Sequence, residues 1–427
     1  MLKKQNQTNK TKLINAFFIF VALGFISNLN LIAEQDDIGW LDTTIRSLAT
    51  NVEAMNRLKI SGFVQAQYMS AASDGMVSSL SGTFPAETHN LFLIRRGRLK
   101  INYTAGIANY VIQFNGTESK FQLLDAFAEV KEPWLNMFSL RAGVFKPNMD
   151  QELLYGSDLR YCNEAATIIQ KFFPTEYDMG AQVMIKHPEF PLSLTAAMLN
   201  GATIASENDN RKNFTARLLY DDKFFDGKFR VLLAAATYQG GVYQATPNVF
   251  TMNGNIFTLN NDIANVGQQG ERNYYVGETT IEVKSPAGKT WLNAEYWFGK
   301  QTASIGSINS PASARPTGDS YIRPFQSIFG LLAHEIQGTN TAIATKFDYF
   351  DPNTSVSGNE IGATNSHTGA ADIRYINLSY GLIFTPTRHL RFSLWYDMPI
   401  NETTQHIPAY NEKRKNNLLT FTMQARF

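Results

Sequence analysis

The strongest constraint on the fold is a strict period of two in the apolar residues, clearest in the last ten residues, 418–427. From Leu419 to Phe427 every second residue is apolar, and the residues between them are polar. This period is typical of a β-strand with one apolar and one wet face. The stretch alone leaves open the last strand of a soluble sandwich.

The same period holds from residue 59 to the end and marks sixteen candidate strands, each near the length that crosses a bilayer at a tilt. The predicted strands are 60–68, 91–103, 109–115, 123–131, 138–146, 178–186, 192–200, 213–220, 228–238, 274–284, 290–298, 321–333, 341–350, 373–384, 388–397 and 417–427.

The links between these strands alternate between short and long, apart from one brief link at 116–121. The short links are rich in Pro, Gly, Asp and Lys, the residues of tight turns. Such alternation is typical of outer-membrane barrels. The sequence therefore predicts an all-β fold for residues 59–427: a transmembrane antiparallel β-barrel of about 16 strands in the bacterial outer membrane.

In such a barrel the apolar strand faces contact the lipid of the outer membrane. The aromatic residue at the end of the last strand, Phe427, resembles the signal read by the barrel-assembly machinery. We expect that machinery to be a partner of the strand.

The N-terminus predicts a secretory signal peptide over residues 1–33. Four lysines precede an apolar run from Leu13 to Ile26, and the small residue Ala33 follows. An uncleaved membrane anchor is the alternative. The next segment, 34–58, has apolar residues at spacings of three and four between Ile38 and Met55, which predicts a short periplasmic helix or coiled coil. It either clips a homotrimer together or packs on the barrel mouth as a single helix.

Composition excludes several other functions. Loss of the four signal lysines leaves 34 of the 38 Lys and Arg against 37 Asp and Glu, a charge near −3, which argues against a globally basic nucleic-acid-binding protein. There is one cysteine, and the six histidines lack metal-ligand spacing, so we expect no metal and no cofactor. No nucleophile elbow or phosphate loop is present, and no enzyme is predicted.

Alternation assigns charged side chains to the lumen, because a cation at mid-depth in lipid costs roughly 2–4 kcal/mol. The predicted pore-lining cations are Arg96, Arg98, Lys100, Arg141, Arg217 and Lys346. Inward carboxylates are predicted at Asp125, Glu129, Glu278, Glu282, Glu295, Asp348 and Asp397. A cationic constriction in such a lumen would select anions, whereas separate positive and negative walls would create a transverse field that orients polar solutes. The plainer interpretation is that the charges only keep a water-filled channel hydrated.

Two features leave alternatives open. Arg95 falls on the lipid parity, so either a bulge re-aims it or it lies at the outer interface. The loop 147–177 carries Arg160 and Lys171 among several aromatic residues. It either folds inward as a constriction or stays outside and caps a trimer.

An ordered set of motifs resembles the phosphate-selective porin O and P family. The motifs are ISGFVQAQ at 60–67, IRRGRLK at 94–100, LDAFAEV at 124–130, LRAGVFKP at 140–147, YDMG at 177–180, KFDYFDPN at 346–353 and the terminal strand. The resemblance covers nearly the whole predicted barrel.

This resemblance implies a trimer of sixteen-stranded barrels that passes small anions, with phosphate or polyphosphate as solutes. It implies a lumen-lining role for Arg96, Arg98, Lys100 and Arg141. The predicted function is passive diffusion of small polar or anionic solutes through a charged lumen. The alternatives are a general non-selective porin, or a barrel that displays its long outer loops for binding or adhesion.

Overall fold

A computed structural model of the chain describes residues 47–48, 57–78, 82–205, 207, 209–311, 314–414 and 416–427. The predicted signal peptide, 1–33, and all but four residues of the predicted helical segment, 34–58, lie outside these residues. Everything that follows concerns the unit Arg57–Phe427.

Sixteen antiparallel strands form a closed barrel, as the alternation predicted. The barrel strands are β1 Leu58–Ala71, β2 Asn90–Ala105, β3 Ala108–Gly116, β4 Phe121–Lys131, β5 Phe138–Phe145, β6 Asp178–Lys186, β7 Leu192–Leu199, β8 Asn213–Phe224, β9 Phe229–Tyr243, β10 Gln269–Ser285, β11 Gly288–Ala303, β12 Ser320–Ile336, β13 Thr341–Asp351, β14 Tyr375–Thr387, β15 Leu390–Asn401 and β16 Leu418–Arg426. Each strand pairs with the next along the chain, and β16 pairs with β1 from Phe63↔Arg426 to Ala71↔Leu418.

Several strands are longer than predicted at the end of the barrel that carries the long loops. β9 and β10 pair up to Tyr243↔Gln269, well beyond the predicted limits of 238 and 274. A hairpin of Asn248–Asn253 and Ile256–Asn261 continues above them, and its first strand pairs in parallel with the start of β12. The extra hydrogen bonds lie in the loop region beyond the lipid, where the outward side chains need not be apolar and no alternation is required. The period-two pattern therefore under-predicts these strand ends.

Short elements occupy the remaining long loops. A small hairpin, whose strands Val77–Ser78 and Gly82–Thr83 have two residues each, lies between β1 and β2. The loop between β5 and β6 carries two short helices, α1 Gln151–Leu154 and α2 Thr167–Phe172. Single turns of 3₁₀-helix occur at Ile263–Asn265, Gly358–Glu360, Ala370–Asp372 and Pro408–Tyr410.

Apolar side chains lie on the outer face of the barrel, and polar side chains lie inside. In β16, Leu419, Phe421 and Met423 are 37%, 41% and 44% exposed, whereas Thr422 and Gln424 are buried. This arrangement is inverted relative to a soluble sheet, because the solvent of the outer face is lipid. The predicted assignment of faces in this strand is confirmed.

Outward aromatic rings stack across neighbouring strands near both ends of the barrel. Phe392 stacks between Phe384 and Phe421 near the short turns, with ring centroids 6.5 and 6.2 Å away. Near the long loops Phe298 of β11 stacks on Tyr275 of the neighbouring β10 at 5.3 Å and on Tyr296 of its own strand at 5.6 Å. Such girdles mark the two membrane interfaces of a barrel.

Among the helices that the structure describes, none has the length and apolar character required to cross a bilayer.

Candidate functional site: the lumen and its insert

The loop between β5 and β6 crosses the barrel interior, and we call residues 147–177 the insert. It contacts the wall on well-separated strands. Gln65 of β1 donates to the Ser157 carbonyl at 3.1 Å, and the Gln151 N–H donates to Glu278 of β10 at 2.7 Å. The insert therefore lies within the lumen, the first of the two alternatives for this loop.

Arg95 fastens the insert to β2 through a β-bulge. The register with β1 passes from Gln65↔Arg96 directly to Ala66↔Ile94, so Arg95 is the extra residue. Its guanidinium binds Glu164 of the insert through two hydrogen bonds of 2.6 and 2.7 Å. The bulge re-aims a side chain that regular alternation would place in lipid.

Arg96 adds a second cation to the same carboxylate, with its Nη2 3.0 Å from Glu164. Burial alone would raise the pKa of Glu164, but Arg95 and Arg96 outweigh it and hold this pKa at about 2. The carboxylate is therefore ionised at all physiological pH values.

A second ionic cluster lies in the insert and includes Lys146, the residue directly before it. Arg160 binds Glu152 at 3.1 Å and Glu176 at 3.3 Å, and Lys146 binds Glu176 at 2.6 Å. Burial works against the ionised form of Glu176, but the two cations bring its pKa well below the usual range. The side chain of Arg160 is 1% exposed, so its charge is neutralised by ion pairs within the insert.

Helix α2 packs an aromatic core against the strands β9–β13. Phe172 stacks on Tyr274 at 4.9 Å and meets Phe325 edge-on at 4.6 Å. Phe173 contacts Tyr238 and Trp297 at 5.8 and 6.2 Å. This part of the lumen is a packed apolar core, where the sequence predicted a water-filled channel.

On the β1–β5 side of the insert lies an open cavity of about 450 Å³. Its charged lining consists of Arg98, Lys100, Arg141, Lys146, Arg426, Asp125 and Asp158. We call it the cationic chamber, since five of these seven described groups are cations.

These cations are not equally paired: Arg98 and Arg426 have no ion pair among the described residues, and the ion pair of Lys100 is long. Arg98 has no ion pair within the part of the chain that the structure describes, and its Nε is buried without a hydrogen-bond partner. Lys100 is 4.0 Å from Asp125 and its side chain is 41% exposed. Arg141, in contrast, binds Glu129 at 2.7 Å and stacks on Phe127.

A second cavity, of about 520 Å³, lies on the opposite side of Asp158 and Leu159. Its wall includes Tyr155 and Tyr161, whose rings lie 6.0 and 5.5 Å from that of Trp291. We call it the ring chamber. Asn340 of a short turn lines it, so it opens toward the short-turn half of the barrel.

The structure separates the predicted pore-lining cations into two groups. Arg98, Lys100 and Arg141 line the cationic chamber. The other three face inward but are buried in ion pairs outside the chamber: Arg96 with Glu164, Arg217 with Glu278, and Lys346 with Asp397 at 3.4 Å.

The two predicted constriction residues of the insert are not brought together. Arg160 lines the ring chamber, and its charge is already paired. Lys171 lies in α2, and its backbone carbonyl accepts a hydrogen bond from the Ser310 N–H at 2.9 Å. Sequence reasoning missed Lys146, which lines the cationic chamber, because it lies at the end of a predicted strand next to the insert. Within the described ranges no group of three or more metal-ligating side chains occurs.

No protein-family model matches the sequence, and no curated protein matches it. Solved structures do match. The outer-membrane channel DcaP of Acinetobacter baumannii is 13% identical with a TM-score of 0.52, and the match covers 87% of this chain and 97% of that one. An anion-selective porin from Comamonas acidovorans is 8% identical with a TM-score of 0.52, and the match covers 87% and 99% of the two chains.

These likenesses and the strand pairing agree on the fold. A closed barrel with an apolar outer face and aromatic girdles is the spanning architecture of the bacterial outer membrane. The chain has the fold of the outer-membrane porins, and its location is that membrane.

Proposed function

We propose that this protein is a passive outer-membrane porin for small polar and anionic solutes, with inorganic phosphate among them. The observation that carries the proposal is the cationic chamber, in which Arg98 and Arg426 have no ion pair among the described residues and Lys100 has only a long one, 4.0 Å from Asp125. Two opposite charges 4 Å apart attract by about 4 kcal/mol at an effective dielectric constant of 20. An anion beside Arg98 or Arg426 gains such contacts without displacing an ion pair among the described residues.

Phosphate enters the proposal through the motif resemblance, and Arg98, Lys100 and Arg141 lie in the motifs concerned. The insert adds no lysine cluster, since Lys171 is its single lysine. We therefore expect a general preference for anions, with phosphate as one permeant solute and not an exclusive one.

The test is the reversal potential of the reconstituted protein in a planar bilayer under a KCl gradient. We expect chloride preference in the wild type and a clear reduction in the Arg98→Gln/Lys100→Gln double variant. The matched control is Lys223→Gln/Lys228→Gln, which removes two exposed cations near a short turn and should leave the potential unchanged. Cation preference, or no preference, in the wild type contradicts the proposal.

A homotrimer in outer-membrane lipid, inserted by the barrel-assembly machinery, completes the proposal. The coiled-coil spacing in 34–58 supports the trimer, and the exposed apolar face of β16 supports recognition of that strand. Chemical cross-linking of the protein in intact outer membranes tests the trimer, and a monomer as the largest product contradicts it.

A second candidate is a barrel that conducts little and displays its outer loops for binding. The packed aromatic core of α2 favours it, because that core fills part of the lumen. An absence of conductance steps from correctly folded protein would support this candidate against the porin.

A further inference from the structure

The ring chamber has the size and lining of a small-molecule site, and its chemistry differs from that of the cationic chamber. Its volume of about 520 Å³ falls in the range of roughly 300–1,000 Å³ that small ligands occupy. We propose that it binds small zwitterions that carry a ring, such as dipeptides with an aromatic side chain.

The ring-binding wall is fixed in place. Trp291 is 3% exposed and supports the wall from behind, and the half-buried rings of Tyr155 and Tyr161 that pack on it present the surface to the chamber. The hydroxyl group of Tyr161 donates to Glu335, which fixes the orientation of that ring beside Trp291. Apolar side chains continue the surface at Leu331 and Ile383. A ligand ring packed here is held by pre-oriented aromatic faces at a small entropic cost.

One end of the chamber carries excess negative charge. Glu282 of β10 and Glu335 of β12 share a single cation, with Lys289 Nζ at 3.3 and 3.9 Å. The side chain of Glu335 is 47% exposed. Two carboxylates and one ammonium leave this end one negative charge, which suits the ammonium group of a ligand.

The other end carries arginines that bind backbone and not carboxylates. Arg391 of β15 donates to the carbonyls of Asp158 and Tyr161 at 3.3 and 3.2 Å, and Arg426 of β16 donates to the carbonyl of Arg388. The Asp158 carboxylate also lines the chamber and offsets one of the two charges. The net positive charge suits the carboxylate group of a ligand.

An extended dipeptide spans roughly 7 Å, so the charged side chains at the two ends must reach part of the way to the ligand. β12 and β15 are three strands apart, roughly 14 Å along the wall at about 4.8 Å per strand. The charged side chains of both strands reach inward from the wall and shorten that gap. A simple anion meets the carboxylates at one end, so the chamber favours a dipolar ligand over chloride or phosphate.

The inference rests on the proposed porin function only for the access of solute, because binding is measurable without conduction. Isothermal titration of the full chain in detergent compares glycyl-phenylalanine with its N-acetyl form, its C-terminal amide and inorganic phosphate. We expect the free dipeptide to bind and each blocked form to bind roughly tenfold more weakly or worse, since each loses one charged hydrogen-bonding end.

A matched pair of variants assigns the site. Glu282→Gln neutralises the acidic end, so we expect it to weaken binding of the free dipeptide and to leave the weak binding of the N-acetyl form unchanged. Glu271→Gln makes the same change at the outer end of the same strand and should have no effect.

Equal affinity for the free and blocked dipeptides, competition by phosphate, or no binding would each overturn the inference. Binding by a barrel that shows no conductance would leave the inference standing while the porin proposal fails. Conductance without binding would overturn the inference and leave the porin proposal standing.

Discussion

Glu164 anchors the insert to β2, because its carboxylate joins two arginines of the barrel wall. Replacing it with glutamine leaves Arg95 and Arg96 near each other without a counter-charge. Breaking a buried pair costs roughly 3–5 kcal/mol, and the lower end applies since Arg95 is partly exposed. We expect Glu164→Gln to lower the thermal midpoint of the detergent-solubilised barrel, whereas Glu189→Gln at an exposed turn should not.

The stabilisation by Glu164 should depend on pH in a defined window. Its pKa is lowered from the ordinary value near 4.5 to about 2 in the folded protein. A lowered pKa gives stability that is complete above about pH 4.5 and is lost as the pH falls toward 2. The difference in midpoint between wild type and Glu164→Gln should therefore be constant from pH 7 to 5 and vanish near pH 2. A difference that persists at pH 2 contradicts the assignment.

At the scale of the strand, the barrel closes through close contacts at Gly62. Its N–H donates to the Phe427 carbonyl at 3.3 Å, and its carbonyl accepts from the Phe427 N–H at 3.0 Å. A Cβ at Gly62 would lie 2.6 Å from the Arg98 carbonyl oxygen and 2.7 Å from the Phe427 ring. Only a glycine fits this seam without movement of the backbone.

We therefore expect Gly62→Val to destabilise the closed barrel by roughly 1–3 kcal/mol, the usual cost of overpacking. Heat-modified mobility on gels, which separates closed from unfolded barrels, measures the effect. Gly277→Val and Gly330→Val are the controls, since a Cβ at either position meets no atom within 4 Å. Equal loss in all three variants would attribute the effect to β-strand glycines in general and not to the seam.

The strands were predictable because their signal is local. Alternation of neighbouring residues determines which face of β16 meets lipid, and it exposed Arg95 as an exception that required a bulge. Pairing across the lumen is not local. Arg98 and Arg96 share a parity on β2, yet only Arg96 meets a carboxylate, because Glu164 arrives from a loop 68 residues further along the chain. The period-two alternation alone therefore predicted the same pore-lining role for all six inward cations.

At the scale of the whole molecule, the sequence did contain one sign of the packed insert. Tyr274 has the same parity as the inward Glu278, Trp297 the same as Glu295, and Phe350 the same as Asp348. In a water-filled pore the inward face of a strand contacts water, so large apolar residues on that face are unfavourable. Their presence on β10, β11 and β13 indicates that something apolar covers the inner wall, and α2 is what covers it.

The insert should therefore limit conductance through its aromatic anchor. The rings of Phe172 and Phe173 are 0% and 6% exposed and tie α2 to the wall. Replacing both with alanine removes that contact at a cost of roughly 3–5 kcal/mol per ring, and the ionic anchor at Glu164 remains. We expect a larger single-channel conductance and noisier open states, because α2 is then free to leave the wall.

Anion preference distinguishes this result from general damage to the barrel. Arg98 and Lys100 lie outside the aromatic core, so chloride preference should persist in reduced form as the lumen widens and more water screens the cations. Phe225→Ala, which removes a 77% exposed ring at a short turn, should change neither property. Unchanged conductance in the Phe172→Ala/Phe173→Ala variant would mean that ions pass through a part of the lumen that α2 does not obstruct, and the two chambers would then be the path.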